Sequence, residues 1–286
     1  MKEKKQCKPI QTILVIYLIC FIFRTIEYML IRTDQSILGE AFIHKLVGIL
    51  VMILAAKHFS LTMKDIGFAN VQAGKNILYG LFLGIAVFIL AYGVEVWLQI
   101  SKSNFQSLRL YVSSYAVDGN RGNQVALWFF AICIIGNIIN VVMEEGVFRG
   151  LFLKLTEKKY SFVKAAFITS VLFGIWHIAG PVRSFWDGDI SATGAIMSAV
   201  MLVVTSGLVG FKFCLLTKIT GSLWMAMADH FVNNTIVNIL HVVTSTGADE
   251  LIMVRITVAQ AVSFLIVLFV YWKSDVRYKQ AFRAKV

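Results

Sequence analysis

Two adjacent carboxylates inside apolar sequence are the first chemistry this chain offers. Residues 141–150, VVMEEGVFRG, set Glu144, Glu145 and Arg149 within what otherwise reads as a membrane-spanning helix. An ionisable group at bilayer depth costs about 3 kcal/mol even on lenient insertion scales, so each one needs a partner or a reaction. Successive side chains on an α-helix diverge by about 100°, so Glu144 and Glu145 cannot address one small site unless the helix is distorted. Arg149 follows Glu145 by four residues, the favourable acid-before-base order, and follows Glu144 by five. The spacing predicts that Arg149 neutralises Glu145 and that Glu144 is left free. Asn140 and Asn137 extend a polar stripe along the Glu144 face.

Two further apolar stretches carry matching anomalies. FGIWH puts Phe173 and His177 one helical turn apart. ADHFVNNTIVNILH repeats His230, Asn234, Asn238 and His241 along one helical face, with the Asn238 and His241 end read as packing or an aqueous lining. Asp229 points away from His230 and is read as a supporting group. Counted from the expected inner helix ends, Glu144, His177 and His230 lie about 11, 15 and 10 residues deep. At about 1.5 Å per residue these depths are roughly 15–22 Å, near the middle of a hydrocarbon layer of about 30 Å, so the three can meet.

The elements that must position these groups follow from composition. The chain has 286 residues, is 58% hydrophobic and only 15% charged, and has a mean hydropathy of +0.75. It reads as an all-α polytopic membrane protein in which about eight transmembrane helices enclose a polar cavity, forming a single integral domain over residues 1–286. The first span runs through Arg24 and Glu27 to Ile31. The others are expected near 37–57, 76–99, 126–153, 161–179, 192–217, 220–243 and 250–272. The N-terminus has the basic and apolar regions of a secretory signal but no small-x-small cleavage site, so it is expected to be retained as a span. Arg24 and Glu27, three residues apart, are expected to form a structural ion pair. The polar connections at 58–75 and 100–124 carry no recognisable site. Gly80 with Gly84 and Gly146 with Gly150 make small-xxx-small pairs for close helix packing.

Charge distribution sets orientation. Lys2, Lys4, Lys5 and Lys8, the lysines at 57, 64, 75, 154, 158, 159, 164, 212 and 218, and the basic C-terminal tail fall on one side. They outnumber Arg32, Lys102, Arg109, Arg121, Arg183 and Arg255 on the other, which predicts that both termini are cytoplasmic. The net charge of +11 does not form a basic patch interleaved with aromatics, so nucleic acid is excluded as a partner. Cys7, Cys20, Cys133 and Cys214 lack CxxC or finger spacing and read as reduced packing residues.

Taken together, Glu-Glu-x-x-x-Arg at 144–149, Phe-x-x-x-His at 173–177 and His-x-x-x-Asn at 230–234 resemble the three signature motifs of the CPBP family, the CAAX proteases and bacteriocin-processing enzymes also called Abi proteins. The resemblance covers residues 126–243, the motif-bearing core, and leaves the first three spans without a motif. It implies an intramembrane endopeptidase in which Glu144 and His177 would activate a water while His230 and Asn234 would stabilise the oxyanion. Glu145, Arg149, Phe173 and Asn140 would support them. CAAX-type members cleave after a prenylated cysteine, and bacterial relatives are associated with peptide maturation, signalling and bacteriocin immunity. The implied partners are therefore a hydrophobic or lipid-tethered peptide and membrane lipid.

Glu144, His177 and His230 could also form a zinc site of His₂Glu type. HExxH is absent, however, and a glutamate-activated water with no obligatory cofactor is favoured. Short basic tails and a Lys- and Ile-rich character point to a bacterial plasma membrane. Two other functions fit the same residues: a catalytically silent family member that binds a regulatory membrane partner, and a transporter. The transporter would need a route to both sides, and the chain shows neither the repeat symmetry nor the broken helices usual for one.

Overall fold

A computed structural model describes residues 8–36, 39–113 and 123–283. Helix α1 (Pro9–Ile26) continues through a π-helical turn at Glu27–Ile31 and is followed by α2 (Ile43–His58) and α3 (Ala73–Ser101). α4 (Leu127–Glu144) runs without a break through a second π-helical segment, Glu145–Phe152, into α5 (Leu153–Glu157). α6 (Phe162–Trp176), α7 (Ala179–Trp186), α8 (Ala192–Thr220), α9 (Trp224–Ile239) and α10 (Ile252–Arg283) complete an all-α polytopic architecture. Among the described residues six helical stretches are long and apolar enough to cross a membrane: Pro9–Ile31, Ala73–Ser101, Leu127–Glu157, Phe162–Trp186, Ala192–Thr220 and Ile252–Ser274. α2 and α9, at 16 residues each, fall short of that length.

The expected span 220–243 ends early because Leu240 turns extended and opens strand β2 (Leu240–Thr244), which pairs antiparallel with β1 (Phe105–Leu110). The 100–124 connection is thus not wholly loop, and His241 leaves the helical stripe assigned to it. Its Nδ1 lies 2.5 Å from Asp249 Oδ2, its Nε2 faces the Tyr111 carbonyl, and its ring stacks on Tyr111 at 3.8 Å.

Packing converges on α9. α3 lies along it and also against α10, α4 is held between α2 and α9, and α6 packs on α8. The close approach of α3 to α9 requires glycine: a Cβ on Gly84 would stand only 2.7 Å from Val232 Cβ. This arrangement brings the helices that carry Glu144, His177 and His230 to one place.

Several charges sit differently from expectation. Arg24 and Glu27 do not pair with each other. Glu27 accepts from the backbone amides of Phe42, Ile43 and His44 at 2.8, 2.8 and 2.6 Å and faces His44 Nδ1 at 2.6 Å. It therefore satisfies the orphan N–H groups and positive dipole end of α2. Arg24 instead reaches His44 Nε2 at 3.1 Å and stacks over Trp176 at 4.6 Å.

Lys212, Arg183 and Arg255, counted among the charges that set orientation, are buried within helices and paired. Lys212 meets Asp229 at 2.6 Å, Arg183 meets Asp187 at 2.5 Å, and Arg255 meets Glu95 at 2.8 Å and Asp249 at 2.9 Å. Cys20, Cys133 and Cys214 are buried and, among the described residues, form no disulfide. Cys7, Lys2, Lys4, Lys5, Arg121 and Lys285 lie outside the described residues.

The Arg255–Glu95 pair has both side chains fully buried, so Arg255→Met strands a carboxylate in the interior. The expected loss is about 3–5 kcal/mol. It should appear as a lowered melting temperature in detergent, and adding Glu95→Gln should recover much of it.

Candidate active site

The site begins with the distortion that two adjacent carboxylates require. At Glu145 the α-helical ladder of α4 gives way to i→i+5 bonding, a widened turn that often occurs at functional sites. One imidazole then faces both acids. His230 Nδ1 lies 2.8 Å from Glu145 Oε1, and His230 Nε2 lies 3.6 Å from Glu144 Oε2. The expected division, with Glu145 turned aside to Arg149 and Glu144 alone in the cavity, is therefore corrected. Arg149 Nη1 does donate to Glu145 Oε1 at 3.2 Å, but the same oxygen is shared with His230. Arg149 also donates through Nε to the Gly210 carbonyl at 3.3 Å and lies 3.8 Å over the Phe173 ring, which ties the π-helical segment to α8 and α6.

Glu144 is oriented from two sides. Asn140 donates to Oε2 at 3.3 Å, and Trp176 donates to Oε1 through its indole N–H at 3.0 Å. Asn137, on the same expected stripe, instead donates to Cys133 Sγ at 3.5 Å. Trp176 was not singled out by spacing. Its signal lies in its type, because a buried indole must find an acceptor for its one N–H. Its ring is held edge-on by Tyr17 and Phe148.

His177 sits where α6 ends, before α7 begins. Its Nδ1 donates to the Phe173 carbonyl at 2.8 Å, and the Phe173 ring meets its own ring edge-on at 4.8 Å. With Nδ1 committed as donor, the neutral ring offers a lone pair at Nε2. His177, His230 and Glu144 lie within electrostatic reach of one another.

Asn234, one turn beyond His230 on α9, accepts from Asn233 Nδ2 at 2.9 Å. Among the described residues no hydrogen bond joins it to Glu144, Glu145, His177 or His230. Asp229 is taken up by Lys212, and Phe213 stacks on the His230 ring at 4.8 Å. Phe213, Trp176 and Lys212 are the neighbours that motif spacing did not reveal.

Among the described residues no group of three or more His, Cys, Asp or Glu is gathered as the ligands of a metal ion. Nδ1 of His230 is engaged by Glu145 and Nδ1 of His177 by a backbone carbonyl, which orients both rings and leaves Nε2 as the nitrogen each turns to the site.

Compared with known families, residues 126–236 match the type II CAAX prenyl endopeptidase Rce1-like family. Over this segment the chain is similar to that family. The family is one of proteases, and the Rce1-like segment runs from α4 into α9, carrying every residue of the cluster from Asn140 to Asn234. α1, α2, α3 and α10 lie outside it. No curated protein matches the chain.

Arg149→Ala removes the cation from Glu145 inside the membrane domain and frees the space between α8 and α6. Stability should fall by about 3–5 kcal/mol, with a matching drop in folded yield. An unchanged melting temperature would mean that His230 alone suffices to hold Glu145.

Proposed function

We propose that the protein is an intramembrane endopeptidase that hydrolyses a peptide bond in a hydrophobic or lipid-tethered peptide. The observation that carries this reading is the single imidazole of His230 facing two buried carboxylates, with His177 within electrostatic reach of Glu144. Glu144 and His177 activate a water, which attacks the scissile carbonyl as its proton passes to one of these bases. Preorganised donors at the developing oxyanion are worth about 3–4 kcal/mol each, and His230 with Asn234 fill that role. The proton then passes to the departing amine, the C–N bond breaks, and a new carboxylate and amine leave. His230 must donate from Nε2 while Nδ1 stays on Glu145. Arg149 balances the charge of Glu145 behind it.

Asn140 and Trp176 orient the base, while Arg149 and Phe173 hold the segment behind it. No obligatory metal is needed. The setting we propose is a bacterial plasma membrane, with α2 and α9 counted among eight membrane helices and with both termini cytoplasmic, so that peptide enters laterally from the lipid.

The test uses purified protein in proteoliposomes with a quenched-fluorescent library of apolar and prenylated peptides. Glu144→Gln should lower turnover about 1000-fold without unfolding the protein, and a chelator should leave wild-type turnover intact. Retained turnover in a folded Glu144→Gln protein would sink the protease reading. Turnover lost to chelator and restored by stoichiometric zinc would overturn the metal-free chemistry.

A further inference from the structure

Behind α9 lies a second polar assembly that the reaction as proposed does not use. Lys212 on α8 is buried to 1% exposure, and its ammonium meets three acceptors: Asp229 Oδ2 at 2.6 Å, Gln260 Oε1 at 2.9 Å and Ser263 Oγ at 3.0 Å. Gln260, on α10, then donates through Nε2 to Asn233 Oδ1 at 2.7 Å, and Asn233 donates through Nδ2 to Asn234 Oδ1 at 2.9 Å. Four side chains on three helices thus form one continuous line that ends on the residue assigned to the oxyanion.

The direction of that line is forced by chemistry. A lysine ammonium has donors and no acceptor, so the Gln260 atom beside it must be the carbonyl oxygen. The Gln260 amide nitrogen therefore faces Asn233, which must accept there and donate onwards. Asn234 must in turn accept through Oδ1, which leaves its Nδ2 as the group free to face the site. A flipped Asn234 would turn a carbonyl lone pair towards developing negative charge.

We infer that Lys212, Gln260 and Asn233 are positioning residues that fix the Asn234 amide with its N–H groups available to the oxyanion. This rests on the reading of Asn234 as an oxyanion donor. It assigns a part in the reaction to α10, which lies outside the Rce1-like segment. A role confined to stability would need only the Lys212–Asp229 ion pair and would be indifferent to which way the amides face.

Gln260→Glu separates these roles. The carboxylate keeps the size of the side chain and strengthens the bond from Lys212, but it cannot donate to Asn233. Asn233 then turns its amide nitrogen to the carboxylate, and Asn234 must donate to Asn233 and present oxygen to the site. With the apolar peptide library in proteoliposomes, kcat should fall about 100-fold, the scale of losing one oxyanion donor, while KM and melting temperature hold. Asn233→Asp breaks the next link from a different helix and should give the same split if Gln260→Glu does not fold. Asn234→Ala is the control. If it lowers kcat about 100-fold while folded Gln260→Glu and Asn233→Asp retain wild-type kcat, the relay is wrong and the oxyanion assignment stands. If Asn234→Ala is itself fully active, the oxyanion assignment fails and the relay fails with it.

Discussion

The interaction on which this structure depends is the grip of one imidazole on two neighbouring carboxylates. Removing one partner from a buried charged pair costs several kcal/mol, so Glu144 and Glu145 require fixed counter-charges and donors. His230 reaches both, Arg149 takes Glu145, and Trp176 with Asn140 take Glu144. The contacts of His230 and Trp176 are also contacts between helices, and Arg149 adds one through the Gly210 carbonyl. Satisfying the two acids joins α4 to α6, α8 and α9, and the reacting groups and the fold share the same bonds. The π-helical segment is the local adjustment that lets adjacent residues of one helix serve a common partner.

Much of this was legible in the sequence, for identifiable reasons. Apolar length gave the all-α membrane class, and Glu144, His177 and His230 stood out because polar groups in apolar helices are costly. The three motifs supplied the family resemblance that the Rce1-like match over 126–236 supports. The π-helical bonding was not legible, because no residue pattern marks it, and without it Glu145 appeared to belong to Arg149 alone. The strand after Ile239 carried a signal in Val242, Val243 and Thr244, β-branched residues that fit an extended backbone. An unbroken polar stripe masked it.

Buried cations were misread for a different reason. Lys212 and Arg255 lie inside the expected spans 192–217 and 250–272, yet were counted with the loop charges that set orientation. Their partners Asp229 and Glu95 lie on other helices, and only the tertiary arrangement joins them. Arg24 and Glu27 show the opposite error, since closeness in sequence suggested a pair that the N-terminus of α2 dissolves. Glu27 caps that helix, which frees Arg24 to stack on the same Trp176 that orients Glu144. The first two helices, outside the Rce1-like segment, thereby reach the carboxylate at its centre.

The most direct test of the central claim compares membrane peptides by mass spectrometry in cells carrying wild-type protein and cells carrying Glu144→Gln at equal folded abundance. A protease centred on Glu144 predicts new peptide termini, within or beside apolar sequence, in the wild-type cells alone. Identical peptide populations, with the biological activity of the protein intact in both, would contradict it.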